Sequence, residues 1–143
     1  NLNYSAQSLL KVFPKYFNVN NVNEYARQPQ KIANKVYGGR MGNNGPNDGW
    51  LYCGKGYIQL TGKDNYKAFD AFTPDDTLTN PDLVATKYPL SSAAWFFYRN
   101  GILPICDKGT SVDVIKLVTK RINGGYIGLN DRIQDFNKFW NIL

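Results

Sequence analysis

The stretch Tyr52-Cys53-Gly54-Lys55-Gly56-Tyr57-Ile58-Gln59-Leu60-Thr61-Gly62-Lys63-Asp64-Asn65-Tyr66 decides how this chain is read. Gly54 and Gly56 flank a basic residue and let backbone or ligand approach closely. Tyr57-Ile58-Gln59-Leu60 is short and β-prone. Thr61, with Asp64 three residues on, has the spacing of a helix N-cap of capping-box type. A polar cluster of Gln59, Thr61, Asp64 and Asn65 thus stands at a strand-to-helix junction, where a sugar or a water can be held in fixed geometry.

Outward from this junction the chain reads as helices. Ala6, Leu9, Leu10 and Phe13 share a helical face that Pro14 ends. Asn21 and Glu24 have the spacing of a second helix start. Pro29 opens a third helix carrying Ile32, Ala33, Val36 and Tyr37, which Gly38-Gly39 stops. Residues 38–49, GGRMGNNGPNDG, form a polar loop, and Trp50 to Leu60 reads as a small hairpin. The helix after Thr61 is expected to reach Phe72 and to turn Tyr66, Phe69 and Phe72 inward. Further helices are expected from Asn80-Pro81, from Ser91 or Ser92 up to Gly101, from Ser111 to Gly124-Gly125, and from Gly128 or Asn130 to the end. Trp95, Phe96, Phe97 and Trp140 are assigned to the core. The expected fold is mainly α, a helix-rich single domain over residues 1–143 with a small β-hairpin beside a substrate cleft.

Composition narrows the chemistry. At 143 residues and 43% hydrophobic content the chain can bury a core, and no segment approaches the ~20 apolar residues of a membrane span. The net charge of +6 favours acidic polymers. The basic residues are scattered, with no run longer than Lys120-Arg121, which argues against nucleic acid as partner. The chain has no His, so a Ser-His-Asp triad, a Cys-His dyad and a His-ligated metal are excluded. Cys53 and Cys106 have neither zinc nor redox spacing; one bridge or two thiols are open, with free thiols favoured. Metal-free, cofactor-free acid–base chemistry by carboxylates is the enzymatic expectation. Asp48 reads as a turn residue and Asp64 as a helix N-terminal residue. Tyr37, Trp50, Tyr52 and Tyr57 surround the loop and hairpin, where aromatic rings can stack on sugars. Gln59 fits a substrate-binding amide, and Arg40 is placed toward acidic groups of a glycan.

The run Gly54-Lys55-Gly56-Tyr57-Ile58-Gln59-Leu60-Thr61, followed by Asn65-Tyr66, resembles the signature of glycoside hydrolase family 19, which contains chitinases and chitinase-like bacteriophage endolysins. Three further segments resemble the endolysin branch. They are Asn1-Leu2-Asn3-Tyr4-Ser5-Ala6 with Phe13-Pro14-Lys15-Tyr16-Phe17; Gln28-Pro29-Gln30-Lys31-Ile32-Ala33-Asn34 with Arg40-Met41-Gly42-Asn43; and Arg121-Ile122-Asn123-Gly124-Gly125 with Asp131-Arg132-Ile133. The resemblance implies a lysozyme-like fold and inverting hydrolysis of β-1,4 links between N-acetylated aminosugars, in peptidoglycan or a chitin-like glycan. It implies that Thr61 positions the attacking water, that Asn65 binds the sugar or the water, that Asn123 lies near the sugar and that Arg132 lies near the acids. The family's catalytic Glu residues lie before or near the segment matching residues 1–6, whereas the only Glu here is Glu24, in a different context. Both catalytic carboxylates are therefore expected ahead of residue 1. The expectation is a monomer, or part of a larger phage protein, acting on the bacterial cell wall without membrane insertion. A glycan-binding relative that has lost its acids is the rival reading, with a basic nucleic-acid-binding domain behind it.

Overall fold

The computed structural model describes residues 2–142; Asn1, the first residue of one matched segment, lies outside them. Helices dominate: α1 (Ala6–Val12), α2 (Pro29–Tyr37), α3 (Asp48–Leu51), α4 (Lys63–Asp70), α5 (Leu83–Thr86), α6 (Pro89–Arg99), α7 (Leu103–Cys106), α8 (Val112–Asn123) and α9 (Leu129–Trp140), with a 3₁₀ turn at Val22–Glu24. The mainly helical class expected from the periodicity is observed. The expected hairpin is reduced to one antiparallel bridge, Lys55 to Leu60, because Trp50 and Leu51 are helical and residues 56–59 turn. The chain divides into two compact units, one ending at Ala93 and one beginning at Ala94.

In the first unit α1 starts as its sequence dictates. The Ser5 hydroxyl accepts from Ser8 N–H at 3.2 Å, and the helix stops at Phe13, before Pro14. Pro29 stands in the first turn of α2, and Gly38 closes it. Leu9, Phe17, Val22, Ile32 and Val36 form one buried cluster, with Leu2, Tyr4, Phe13, Tyr25 and Tyr37 packed against it. Each fully buried aliphatic or aromatic side chain contributes about 1.5–3 kcal/mol, against under ~1 kcal/mol for a partly exposed pair such as Lys55–Asp82. Burial, not surface charge, holds this region. Asn21 does not cap the 3₁₀ turn; its carboxamide oxygen accepts from Asn18 N–H at 2.9 Å.

The polar loop after α2 is organised from inside by Asn43, which has no exposed surface. Its amide donates to the Tyr37 carbonyl at 3.0 Å and its oxygen accepts from Lys63 N–H at 2.9 Å. One carboxamide thereby satisfies a carbonyl at the end of α2 and the first amide of α4. Thr61 is not the cap of α4. Gly62 holds the N-cap position at φ +91°, and a Cβ there would meet the Met41 side chain at 2.5 Å. A residue without a side chain fits that position, and the capping acceptor is supplied by a side chain twenty residues earlier. In α4, Tyr66 and Phe69 are fully buried, while Phe72 is 62% exposed. The helix ends at Asp70, so Phe72 leaves its inward face. Asp70 instead anchors the next loop, accepting from Thr77 N–H, the Thr77 hydroxyl and Leu78 N–H at 2.6, 3.1 and 3.1 Å. α5 begins at Leu83 rather than at Pro81, because residues 80–83 form a turn in which Leu83 N–H donates to the Asn80 carbonyl.

α6 opens at Pro89, two to three residues before the expected serines, and Ser92 is buried with its hydroxyl donating to the Pro89 carbonyl. In the second unit Trp95 is buried, with Arg99 lying over its ring at 5.3 Å. α8 is capped by Ser111, as its sequence indicates. Val114, Ile115 and Thr119 are buried along it, whereas Val112 is half exposed. Trp140 is 55% exposed and stacks on Phe136 at 5.5 Å, so it is a surface ring rather than a core one.

Asn43→Ala orphans the Tyr37 carbonyl and the Lys63 N–H. At about 1–3 kcal/mol for each buried unpaired group, we expect a loss of about 2–4 kcal/mol in urea unfolding; an unchanged midpoint would refute the bracing role.

Candidate functional site

Gln59 is the pivot of the central turn. It holds φ +56°, a left-handed conformation that costs a residue with a side chain roughly 1 kcal/mol or more. Its own groups support the strain: its N–H and its side-chain amide both donate to the Gly56 carbonyl, at 3.1 and 3.0 Å. The turn is pinned from four sides. Lys55 and Leu60 exchange both backbone hydrogen bonds, and Gly62 N–H donates to the Tyr52 carbonyl at 2.8 Å. The Tyr66 hydroxyl donates to the Cys53 carbonyl at 2.9 Å, and Tyr57 N–H donates to the Pro89 carbonyl at 3.2 Å.

The pinned turn aims Thr61 at a cavity of about 430 Å³ lined by Leu2, Tyr4, Phe13, Pro29, Tyr37, Trp50, Cys53, Gly54, Gln59 and Thr61. The Thr61 hydroxyl donates to the Gln59 carbonyl at 2.7 Å. With its proton committed there, the oxygen presents lone pairs, which suits it to accept from a water or a sugar hydroxyl. Asn65 donates to the Thr61 carbonyl at 2.8 Å and is not among the cavity-lining residues; it acts on Thr61. Gly54 faces both groups closely. A Cβ on it would lie 2.9 Å from Gln59 Oε1 and 3.2 Å from Thr61 Oγ1. The conformational freedom of this glycine is secondary; its missing side chain is what lets the two oxygens approach the cavity floor.

The remaining wall comes from the chain's beginning, through Leu2, Tyr4 and Phe13; of these the sequence placed only Phe13, on the face of the first helix. Tyr4 and Phe13 pack edge to face at 5.5 Å. The segment is held by Arg27, whose N–H donates to the Tyr4 carbonyl at 2.8 Å and whose guanidinium donates to the Asn3 carbonyl at 3.0 Å. No local pattern around residues 2–4 announces this, because the partner lies over twenty positions away. Burial, followed by the neighbouring Tyr4 and Cys53, pushes the Tyr37 phenol up, so it faces the cavity as a neutral hydroxyl.

Other anticipated site residues lie elsewhere. Tyr52 is 6% exposed; its hydroxyl donates to the Leu78 carbonyl at 3.1 Å and its ring packs on Tyr66 at 5.2 Å. It is a core residue, because its carbonyl and ring are both needed to seat the turn. Tyr57 is 75% exposed and does not line the cavity. The guanidinium of Arg40 donates to the Tyr16 hydroxyl at 2.7 Å and the Val36 carbonyl at 3.3 Å, also off the cavity wall. Asn123 and Arg132 belong to the second unit. There Arg132 donates to the Asn123 side chain at 3.4 Å, and Asn123 donates to the Ile127 carbonyl at 3.1 Å. Arg132 also borders an apolar cavity of about 460 Å³ with Val114, Ile115, Val118, Phe136 and Thr119; the buried Thr119 hydroxyl has no hydrogen-bond partner among the described residues. Cys53 and Cys106 are free thiols.

Among the described residues no carboxylate lines the first cavity. Asp48, the nearest by sequence, is 7% exposed. Burial pushes its carboxyl up, but the Gly45 N–H, the Lys63 ammonium at 3.2 Å and the Asn44 N–H together outweigh burial and hold it below the usual carboxylate range. It is a structural anion, unsuited to donating a proton near neutrality. The cavity therefore offers hydroxyls, an amide and aromatic faces without formal charge, a lining that suits a neutral polar ligand.

No protein-family model matches the chain. It is homologous to proteins of the glycosyl hydrolase family 19 group. A "glycosyl hydrolase family 19 domain-containing protein" of Haemophilus influenzae is 38% identical over 140 positions, covering 92% of this chain and 64% of the relative. "Acidic endochitinase Q" of Nicotiana tabacum is 33% identical, covering 59% of this chain and 41% of the relative. "Acidic endochitinase" of Petunia hybrida is 34% identical, covering 68% and 44%. The chain spans less than two thirds of the length of each.

Two outcomes follow from this geometry. The native Asp48 carboxyl lies below its unfolded value of about 3.9, so its stabilisation is complete above that value and is lost as pH falls through the depressed native one. Asp48→Asn should lower the thermal midpoint at pH 7, with the gap to wild type narrowing at about pH 2.5; a gap independent of pH would contradict the assignment. Gly54→Ala should leave the thermal midpoint nearly unchanged, because the atom its Cβ approaches most closely is the free end of the Gln59 side chain; a drop of several degrees would show that this close approach braces the turn.

Proposed function

We propose that this chain carries the water-holding and sugar-binding wall of a glycosidase that hydrolyses β-1,4 links between N-acetylated aminosugars of bacterial peptidoglycan by an inverting acid/base mechanism. One observation carries the reading: the Thr61 hydroxyl, its proton spent on the strained Gln59 carbonyl, faces a cavity whose other polar side chains include an amide, two phenols and a thiol, with Trp50 as an aromatic platform. A water donating to Thr61 Oγ1 has its own lone pair directed away from that oxygen, toward an anomeric carbon seated in the cavity. Gln59 Oε1, left free by the amide's bond to Gly56, accepts from an acetamido N–H or a sugar hydroxyl. Asn65 is the positioning residue behind Thr61.

Inverting hydrolysis needs one carboxylic acid to protonate the leaving oxygen and one carboxylate to take a proton from water, about 6.5–9.5 Å apart. The cavity wall has neither, so in this reading both come from polypeptide beyond these residues, as the partial coverage of the relatives allows. The net charge of +6 favours peptidoglycan, whose strands carry acidic peptides, over uncharged chitin. The chitin reading is supported by the plant relatives named endochitinases. We place the protein among phage-type lysins, acting on the bacterial envelope as a monomer or within a larger phage protein, without cofactor.

The test is release of reducing ends from purified peptidoglycan and from chitin by the longer protein that carries the acids. Thr61→Ala should lower kcat about a hundredfold with little change in KM, and Asn65→Ala roughly tenfold, through misplacement of the nucleophile. Wild-type rates in both would remove the assignment. A retained anomer as first product, seen by NMR, would overturn the inverting mechanism, and glycan binding without any turnover would favour a non-catalytic relative.

A further inference from the structure

Beside the sugar cavity lies a second one of about 400 Å³, lined by Gln28, Pro29, Gln30, Lys31, Asn34 and Asn47. Pro29 borders both. The two linings differ in kind. The first is aromatic and hydroxylic; the second has four carboxamides and one ammonium group, and no carboxylate.

Gln28, Gln30 and Asn47 are exposed and Asn34 is half-buried, and hydrogen bonds orient three of these four amides. Trp50 N–H donates to Asn34 Oδ1 at 2.8 Å, which fixes the Asn34 carboxamide. Its amino group then donates to Asn47 Oδ1 at 3.3 Å, and Gln30 Nε2 approaches the same oxygen at 3.5 Å. With Oδ1 accepting from two neighbours, the amino group of Asn47 is turned away from them. The amide of Gln30 is likewise oriented with its nitrogen inward and its oxygen outward. The chain of bonds starts at the backbone of Trp50, whose ring forms part of the sugar cavity. Lys31 makes no ion pair with the described residues.

A donor amide, an acceptor amide and a cation in one depression match an extended peptide that ends in, or carries, carboxylates. A backbone N–H suits Gln30 Oε1, a backbone carbonyl suits Asn47 Nδ2, and a carboxylate suits Lys31. Uncharged chitin has nothing for the last of these. Resting on the glycosidase reading above, we propose that this second cavity is a specificity site for the acidic stem peptide attached to alternate sugars of the peptidoglycan strand, with Gln30, Lys31 and Asn47 as its recognition groups. A strand whose sugar lies over Trp50 and Pro29 would then direct its peptide into the neighbouring cavity.

Calorimetric titration of this chain with two purified peptidoglycan fragments of equal sugar length, one with its stem peptides and one with them removed enzymatically, tests the proposal. The fragment with stems should bind about tenfold more tightly, as expected for two or three added hydrogen bonds, one of them charged. Lys31→Gln and Asn47→Ala should each pull that ratio toward one, and raising the salt concentration should erode it. Equal affinity for both fragments would overturn the specificity site while leaving the sugar cavity in place. Binding of neither would overturn the glycosidase reading and this inference with it. A ratio that persists in both variants would move peptide recognition to another surface.

Discussion

The buried carboxamide of Asn43 donates to the Tyr37 carbonyl at one end and accepts from Lys63 N–H at the other, and the geometry of the site follows from that pair of bonds. The segment between α2 and α4 is too rich in Gly and Asn to hold itself by regular structure. The start of α4 cannot cap itself either, because Gly62 has no side chain to offer. A single planar amide, excluded from water, resolves both deficits and sets the register of α4 against α2. Thr61 stands two residues before Lys63, so its place on the cavity wall is inherited from this register. Leaving either partner unpaired in the interior is costly, which makes the arrangement effectively all or none.

Two local tensions coexist with that frame. Gln59 occupies a left-handed conformation, and Gly54 lies within touching distance of the oxygens of Gln59 and Thr61. The strain is supported by hydrogen bonds to Tyr52, Cys53, Pro89 and Gly56, so the turn is rigid where the chemistry needs rigidity. The charges are used differently. Asp48 is neutralised by Lys63 beneath the loop, and the cavity itself carries no ionised side chain. In such a site orientation comes from directional hydrogen bonds and ring faces, which suits neutral sugar units; formal charge enters only at the neighbouring amide-lined depression, through Lys31.

Several elements were legible from residue pattern because their causes are local. Pro29, Gly38 and Ser111 mark helix ends at the places where the backbone has unpaired groups or a fixed φ, and the spacing of Ile32, Ala33 and Val36 marks the buried face of α2. Where the cause is not local, pattern misled. Thr61 has cap spacing, yet its hydroxyl turns back to Gln59 because the carbonyl two residues earlier is nearer than the helix. Trp50 to Leu60 has strand-like residues, yet Trp50 is drawn into a helical turn and the rest folds on a single bridge. Phe72 and Trp140 have the spacing of inward residues but lie exposed, Phe72 because its helix ends first and Trp140 because its ring stacks along α9.

The amino-acid sequence by itself determined the helical class and the ends of α2 and α8, and its lack of imidazole and its single Glu restrict the chemistry open to it. These depend on composition and on interactions within one or two turns. The tertiary structure alone decided which side chains share a cavity: Tyr4 and Phe13 joined it, Tyr52 went to the core, Arg40 and Tyr57 fell outside it, and Asn43, assigned no role of its own from the sequence, became its brace. Those outcomes depend on hydrogen bonds between residues about twenty positions apart, whose geometry exists only after the helices have packed.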